Sequence, residues 1–213
     1  MAKSDGLLRE LVIAIANGDS AKFSQLIAEN PQLAKASFET MNATRQAAKE
    51  NFIAAIGRYI YRGDTALHFA AAAYNVEMIR TLIAKGADAR ARNRLGDEPL
   101  HAAAMGTPGS PRWNAIAQSD AIKALIHAGA DPDAVNKMGV APLHKAVRTR
   151  CADAVQSLLV AGADPAKKNK HGSDALLLAR MTTGRSGSGS DEAKAEQQKI
   201  LKLLQQKLQI SNQ

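Results

Sequence analysis

Aromatic residues make up only 4% of this 213-residue chain, and cysteine and tryptophan occur once each. The lone cysteine, Cys151, excludes an internal disulfide framework and with it the small secreted scaffolds stapled by bridges. Scarce aromatics remove one ingredient of a single-stranded nucleic-acid binder, whose bases stack on rings. No apolar stretch approaches the length of a membrane span. Met1-Ala2-Lys3-Ser4-Asp5 does not open a signal peptide, because the apolar run after it is short and broken by Arg9 and Glu10. A cytoplasmic setting is the expectation.

The usual marks of catalysis and of metal or cofactor binding are missing too. His68, His101 and His144 stand far apart, with no second ligand at the near spacing that zinc sites use. Cys151 has no CxxC partner. The Gly-Ser run from Gly184 to Ser190 lacks the Gly-Lys-Ser/Thr ending of a phosphate-binding loop. Within it, Gly187-Ser188-Gly189-Ser190 is low-complexity sequence, not a nucleophile elbow. No enzyme, cofactor or metal is therefore expected.

What is present is a phrase that returns. Thr65-Ala66-Leu67-His68 is followed by Glu98-Pro99-Leu100-His101 and Ala141-Pro142-Leu143-His144. Each copy leads to a closing Gly-Ala-Asp, at Gly86, Gly129 and Gly162. The glycines that open successive units, Gly63, Gly96, Gly139 and Gly172, are spaced by 33, 43 and 33 residues. Asn93, Asn136 and Asn169 each stand three residues before such a glycine, and asparagine suits a turn there. Leu67, Leu100 and Leu143 should point into a core, and the alanines after them let neighbouring helices approach closely. Met78, Ile79, Leu82 and Ile83 fall at helical spacing on one apolar face, as do Ile122, Leu125 and Ile126. Such a period builds a solenoid in which each unit buries its apolar face against its neighbours.

The phrase and its period resemble the ankyrin repeat. That resemblance implies an all-α solenoid of helix-turn-helix units joined by hairpin-like turns, and a protein-binding function. Ala66 in place of the family's proline, and Glu98 and Ala141 in place of its threonine, are departures within single copies. The spacing predicts one domain over residues 1–213, with five units at about 5–34, 60–92, 93–135, 136–168 and 169–208. Three insertions interrupt it, at about 36–60, 107–116 and 183–197. The first contains an amphipathic pattern that predicts a helix from Thr44 to Tyr59, with Ala48, Phe52, Ile56 and Tyr59 on one side. As a set, the insertions resemble those of bacterial ankyrin repeat proteins.

The net charge is +8, and much of it lies between Lys137 and His171. There Lys137, Lys145, Arg148, Arg150, Lys167, Lys168 and Lys170 face only Asp153 and Asp164. A basic surface steers acidic partners, although charged outer helices also simply keep such a chain soluble. The resemblance implies that a partner is gripped by turn tips and by the exposed side of the first helices. Mapped by the period, the turn positions are Tyr61, Arg62 and Asp64; Arg94, Leu95 and Asp97; Lys137 and Met138; Lys170 and His171. The first helices add Phe69, Met105, Lys145 and Arg148. Part of this stripe could instead be covered by the first insertion. Trp113, beside Arg112, either projects as an anchor or folds back to plug a local core. The partner expected is another protein with an acidic, partly apolar surface, bound by a monomer. The alternative is nucleic acid or another polyanion on the basic stretch 137–171.

Overall fold

Short polar turns start most of the second helices of this chain, and small apolar side chains then hold the helices together. The computed structural model describes residues 3–39, 51–108, 110, 113–181 and 191–211. Its helices come in pairs: α1 (Lys3–Asn17) with α2 (Ser20–Glu29), and α3 (Ala66–Ala72) with α4 (Val76–Ala84). The third pair is α5 (Pro99–Ala103) with α6 (Ala115–His127), the fourth α7 (Pro142–Arg148) with α8 (Ala152–Val160). The last is α9 (Ala175–Met181) with α10 (Asp191–Ser211). Side chains of Asp19, Asn75 and Asn114 cap α2, α4 and α6 by accepting the N–H groups of Lys22, Met78 and Ala117.

First helices pack on one another in chain order, α1 on α3, α3 on α5, α5 on α7, α7 on α9. Second helices form a parallel row from α4 through α6 and α8 to α10. The result is the all-α, two-layered solenoid that the period implies. Leu67, Leu100 and Leu143 are buried between the layers with Ile79, Leu82, Ile122, Leu125, Val155 and Leu158. Ala70, Ala103 and Ala146, also buried, allow the first helices to come close.

The helix expected over Thr44–Tyr59 does not form in its second half. Residues Thr44 to Glu50 lie outside the described residues. After them, β1 (Phe52–Ile53) and β2 (Arg58–Tyr59) pair antiparallel, Phe52 opposite Tyr59. Gly57, with φ at 62°, turns the chain between them, where a helix would need φ near −63°. Phe52 and Tyr59, which share a face in a helical projection, meet instead across the hairpin with ring centroids 4.8 Å apart. The third insertion also ends earlier than expected. Residues 191–197 are already helical, with Glu196 and Gln197 buried. The Glu196 carboxylate accepts the Ala152 N–H at 3.0 Å and so caps α8, whose preceding residue, Cys151, offers no side-chain cap. The Gly-Ser run 184–190 lies outside the described residues.

Turns between pairs stack directly on one another. The Arg94 N–H donates to the Arg62 carbonyl at 2.7 Å, Lys137 to Leu95 at 3.0 Å, and Lys170 to Met138 at 3.1 Å. The approach leaves no room for a side chain on the inner residue of the turn. A Cβ on Gly96 or on Gly139 would stand 2.9 Å from the backbone nitrogen of Lys137 or Lys170 respectively. Gly172 has the same left-handed backbone, φ 74°, with nothing within 4 Å of such a Cβ. Gly172→Ala should therefore cost only the left-handed conformation, about 1 kcal/mol. Gly139→Ala must also push a backbone aside and should cost about 3 kcal/mol. Urea unfolding of the two variants measures the difference, and equal losses would contradict direct turn stacking.

Candidate functional site

Each turn is tied by an asparagine carboxamide. Asn93 Oδ1 accepts the N–H groups of Leu95 and Asp97 at 2.9 and 3.1 Å. Asn136 does the same for Met138 and Val140, and Asn169 for His171 and Ser173. The amide nitrogens of Asn93 and Asn136 then reach back one unit, to Asp64 Oδ1 at 2.9 Å and Asp97 Oδ1 at 2.8 Å.

Asp64 and Asp97, expected on the exposed stripe, are consequently inside, 0% and 4% exposed. Arg58 of the hairpin pairs with Asp64 at 3.0 Å, and the Tyr61 N–H donates to its second oxygen at 2.8 Å. Lys145, expected as a surface cation, is drawn to Asp97 at 2.5 Å and is largely covered. Burial pushes the Asp97 carboxyl up, but Lys145 and Asn136 outweigh it and hold the acid below its ordinary range. Burial pulls the Lys145 ammonium down, against the opposing pull of Asp97.

Phe69 is also removed from the surface. It is fully buried, edge-on to Phe38 at 6.3 Å, with the Arg58 guanidinium 5.4 Å from its ring centre. A burial this complete arises because two distant segments, one from each end of the first insertion, close over α3. Trp113 folds back: half-buried, it donates from Nε1 to Gln118 Oε1 at 2.8 Å. Arg112 lies outside the described residues.

The remaining candidates converge. Arg94, Leu95, Met105, Lys137, Met138, Arg148 and His171 line one groove of about 790 Å³, with the Asp97–Lys145 pair in its wall. Leu95, Met105 and Met138 are 40%, 43% and 48% exposed, high values for large apolar side chains. Arg94 stacks on Tyr61 at 4.9 Å. Arg94, Lys137 and Arg148 are exposed and have no ion-pair partner among the described residues. Arg62 and Lys170 are exposed on turns beside the groove but do not line it.

The three repeated histidines are structural. Backbone N–H groups of Thr65, Glu98 and Ala141 donate to Nδ1 of His68, His101 and His144. Nδ1 must then carry the lone pair, so Nε2–H is the donor, to the carbonyls of Asp97, Val140 and Lys167 at 3.0, 3.0 and 2.9 Å. Burial lowers all three imidazole pKa values, that of His101 to about 4. Cys151 is an inert core thiol, pushed up to about 11 by burial.

A row of helix pairs bound through such turns defines a repeat solenoid. The model described as ankyrin repeats (3 copies) matches residues 11–112, and the ankyrin repeat model matches 95–137 and 138–170. The chain belongs to the ankyrin repeat family, whose repeats generally mediate protein–protein interaction. No curated protein matches the chain. No helix among the described residues is long and apolar enough to cross a membrane.

Two outcomes follow from the buried groups. A histidine held neutral in the fold but titrating near 6.5 when unfolded adds stability that is complete above 6.5 and lost as pH falls toward the folded value. His101 alone should remove about 2 kcal/mol between pH 7 and 5. Denaturant unfolding at the two pH values measures this, and His101→Gln should flatten the slope; a level wild-type profile would contradict the assignment. Lys145→Met strands a buried carboxylate and should cost about 3 kcal/mol, whereas Lys137→Met on the surface should change stability by less than about 0.5 kcal/mol. Equal effects would return Lys145 to the surface.

Proposed function

We propose that this protein is a non-enzymatic binding scaffold whose groove holds an acidic segment of a partner protein. Apolar side chains of that segment seat on Leu95, Met105 and Met138, while its carboxylates meet Arg94, Lys137 and Arg148. The supporting observation is the convergence in one groove of exposed apolar anchors and exposed cations without an ion-pair partner among the described residues, beside a carboxylate already neutralised by Lys145. Desolvated apolar anchors supply most of the affinity at such surfaces, and complementary charge supplies rate and register. A monomer in the cytoplasm, with Cys151 reduced, fits this reading.

The exposed cations Lys137, Arg148 and Lys170 also support a second reading, in which the same face holds nucleic acid. Salt separates the two. A partner captured from native lysate and re-bound in purified form should keep measurable affinity at high salt, and Leu95→Ala should weaken it by about 1–2 kcal/mol. Lys137→Glu should slow association. Affinity untouched by Leu95→Ala, together with a steep salt slope, would instead assign the face to phosphates.

A further inference from the structure

The residue after the turn glycine changes along the array. Asp64 follows Gly63, Asp97 follows Gly96, but Val140 follows Gly139. In the first two places the carboxylate is met by the asparagine of the next turn, Asn93 Nδ2 on Asp64 at 2.9 Å and Asn136 Nδ2 on Asp97 at 2.8 Å. Asn169 stands third in that series. The side chain of Val140 offers it no acceptor, and among the described residues the Asn169 amide nitrogen donates no hydrogen bond. Its Oδ1 alone is used, by the N–H groups of His171 and Ser173.

The backbone at the third place matches that at the second. The Val140 N–H donates to Asn136 Oδ1 at 3.0 Å, and the Val140 carbonyl accepts the Asn136 N–H at 3.1 Å. Asp97 makes the same two bonds with Asn93, both at 3.1 Å. The Lys170 N–H reaches the Met138 carbonyl at 3.1 Å, so the last two turns stack as the earlier ones do. Asn169 is therefore set over Val140 as Asn136 is set over Asp97, with the donor in place and the acid replaced.

This spot opens into the groove. Val140 and Asn169 are half-buried, and both line it. Lys137, Arg148 and His171 line it with them. Asp97, the one acid of the lining, is taken up by Lys145 and Asn136. An unused amide donor among cations favours an anion that can accept from it. Asp64 and Asp97 show which anion this turn geometry fits: each is a carboxylate held by one asparagine amide and one cation.

We propose that Asn169 reads a carboxylate of the bound partner. An aspartate or glutamate side chain of the acidic segment accepts the Asn169 Nδ2–H over Val140, and supplies from outside the acid that the third turn lacks. Arg148 and Lys137 draw that acid in and fix its register. This rests on the groove being the partner's binding surface.

NMR of the isotope-labelled chain tests it. The probes are short peptides alternating leucine with glutamate, the same peptides with glutamine for glutamate, and inorganic phosphate. The Asn169 side-chain amide resonance is identified by its loss in Asn169→Asp. Glutamate peptides should shift it saturably, and glutamine peptides should bind at least about tenfold more weakly. Methyl resonances of Leu95, Met105 and Met138 report separately on the groove. Asn169→Asp keeps the Oδ1 that closes the turn and replaces the donor by a like charge, so it should weaken the glutamate peptide about tenfold or more. Val140→Asp supplies the acid from within the chain and should weaken the peptide to a similar degree; it carries the test if Asn169→Asp does not fold. Methyl shifts without a shift of the Asn169 amide would overturn the proposal and leave the groove as the binding surface. No shift of either would remove both. Full affinity in Val140→Asp, or a larger effect of inorganic phosphate than of the glutamate peptide on the Asn169 amide, would overturn the proposal as well.

Discussion

An imidazole that stays neutral holds this solenoid in register. Its Nδ1 lone pair closes the start of its own first helix, and its Nε2–H reaches the backbone leading into the next turn. For His68 and His101 the second ring nitrogen is satisfied only by the following unit, at the carbonyls of Asp97 and Val140. The bond therefore links local helix initiation to the presence of a neighbour, which is the physical content of a one-dimensional, neighbour-dependent fold. Glycines that let turn backbones touch, and asparagines that reach back to buried aspartates, add a second and third tie along the same edge.

That edge also sorts the charges. Asp64 and Asp97 are consumed inside it, and they take Arg58 and Lys145 with them. What remains outside includes Arg62, Arg94, Lys137, Arg148 and Lys170, so pairing the acids in the turns leaves a more positive face than the composition of the turns suggests. The hairpin acts on the other end of the same face. Its Arg58, together with Phe38 from the other end of the insertion, closes over Phe69 and withdraws that ring from the binding stripe, and the groove lies farther along, over the turns around Leu95 and Met138.

Much of this was legible. The recurrence of Leu67, Leu100 and Leu143 foretold the core. The resemblance, mapped by the period, placed Arg94, Leu95, Lys137 and Met138 in one row of turns, because identical backbone units put equivalent positions in a row. The hairpin was not legible. Ala48, Phe52, Ile56 and Tyr59 satisfy a helical spacing, and a few residues at that spacing cannot distinguish a helix from two strands bent around Gly57. Nor was the fate of Lys145, whose ammonium is 48 positions from the carboxylate that holds it. Glu196 as the cap of α8 was hidden for the same reason, with 44 positions between donor and acceptor.

The sequence by itself determined the period, the family, the two-layered all-α architecture and the column of turn positions. These follow from local chemistry repeated at fixed intervals: a left-handed glycine, a turn asparagine, a capping histidine, an apolar helical face. Only the tertiary structure decided which of those turn residues face outward, because burial depends on what distant segments close over them. It likewise decided that Trp113 turns inward, onto Gln118. Those outcomes rest on contacts between parts of the chain that no local pattern brings together.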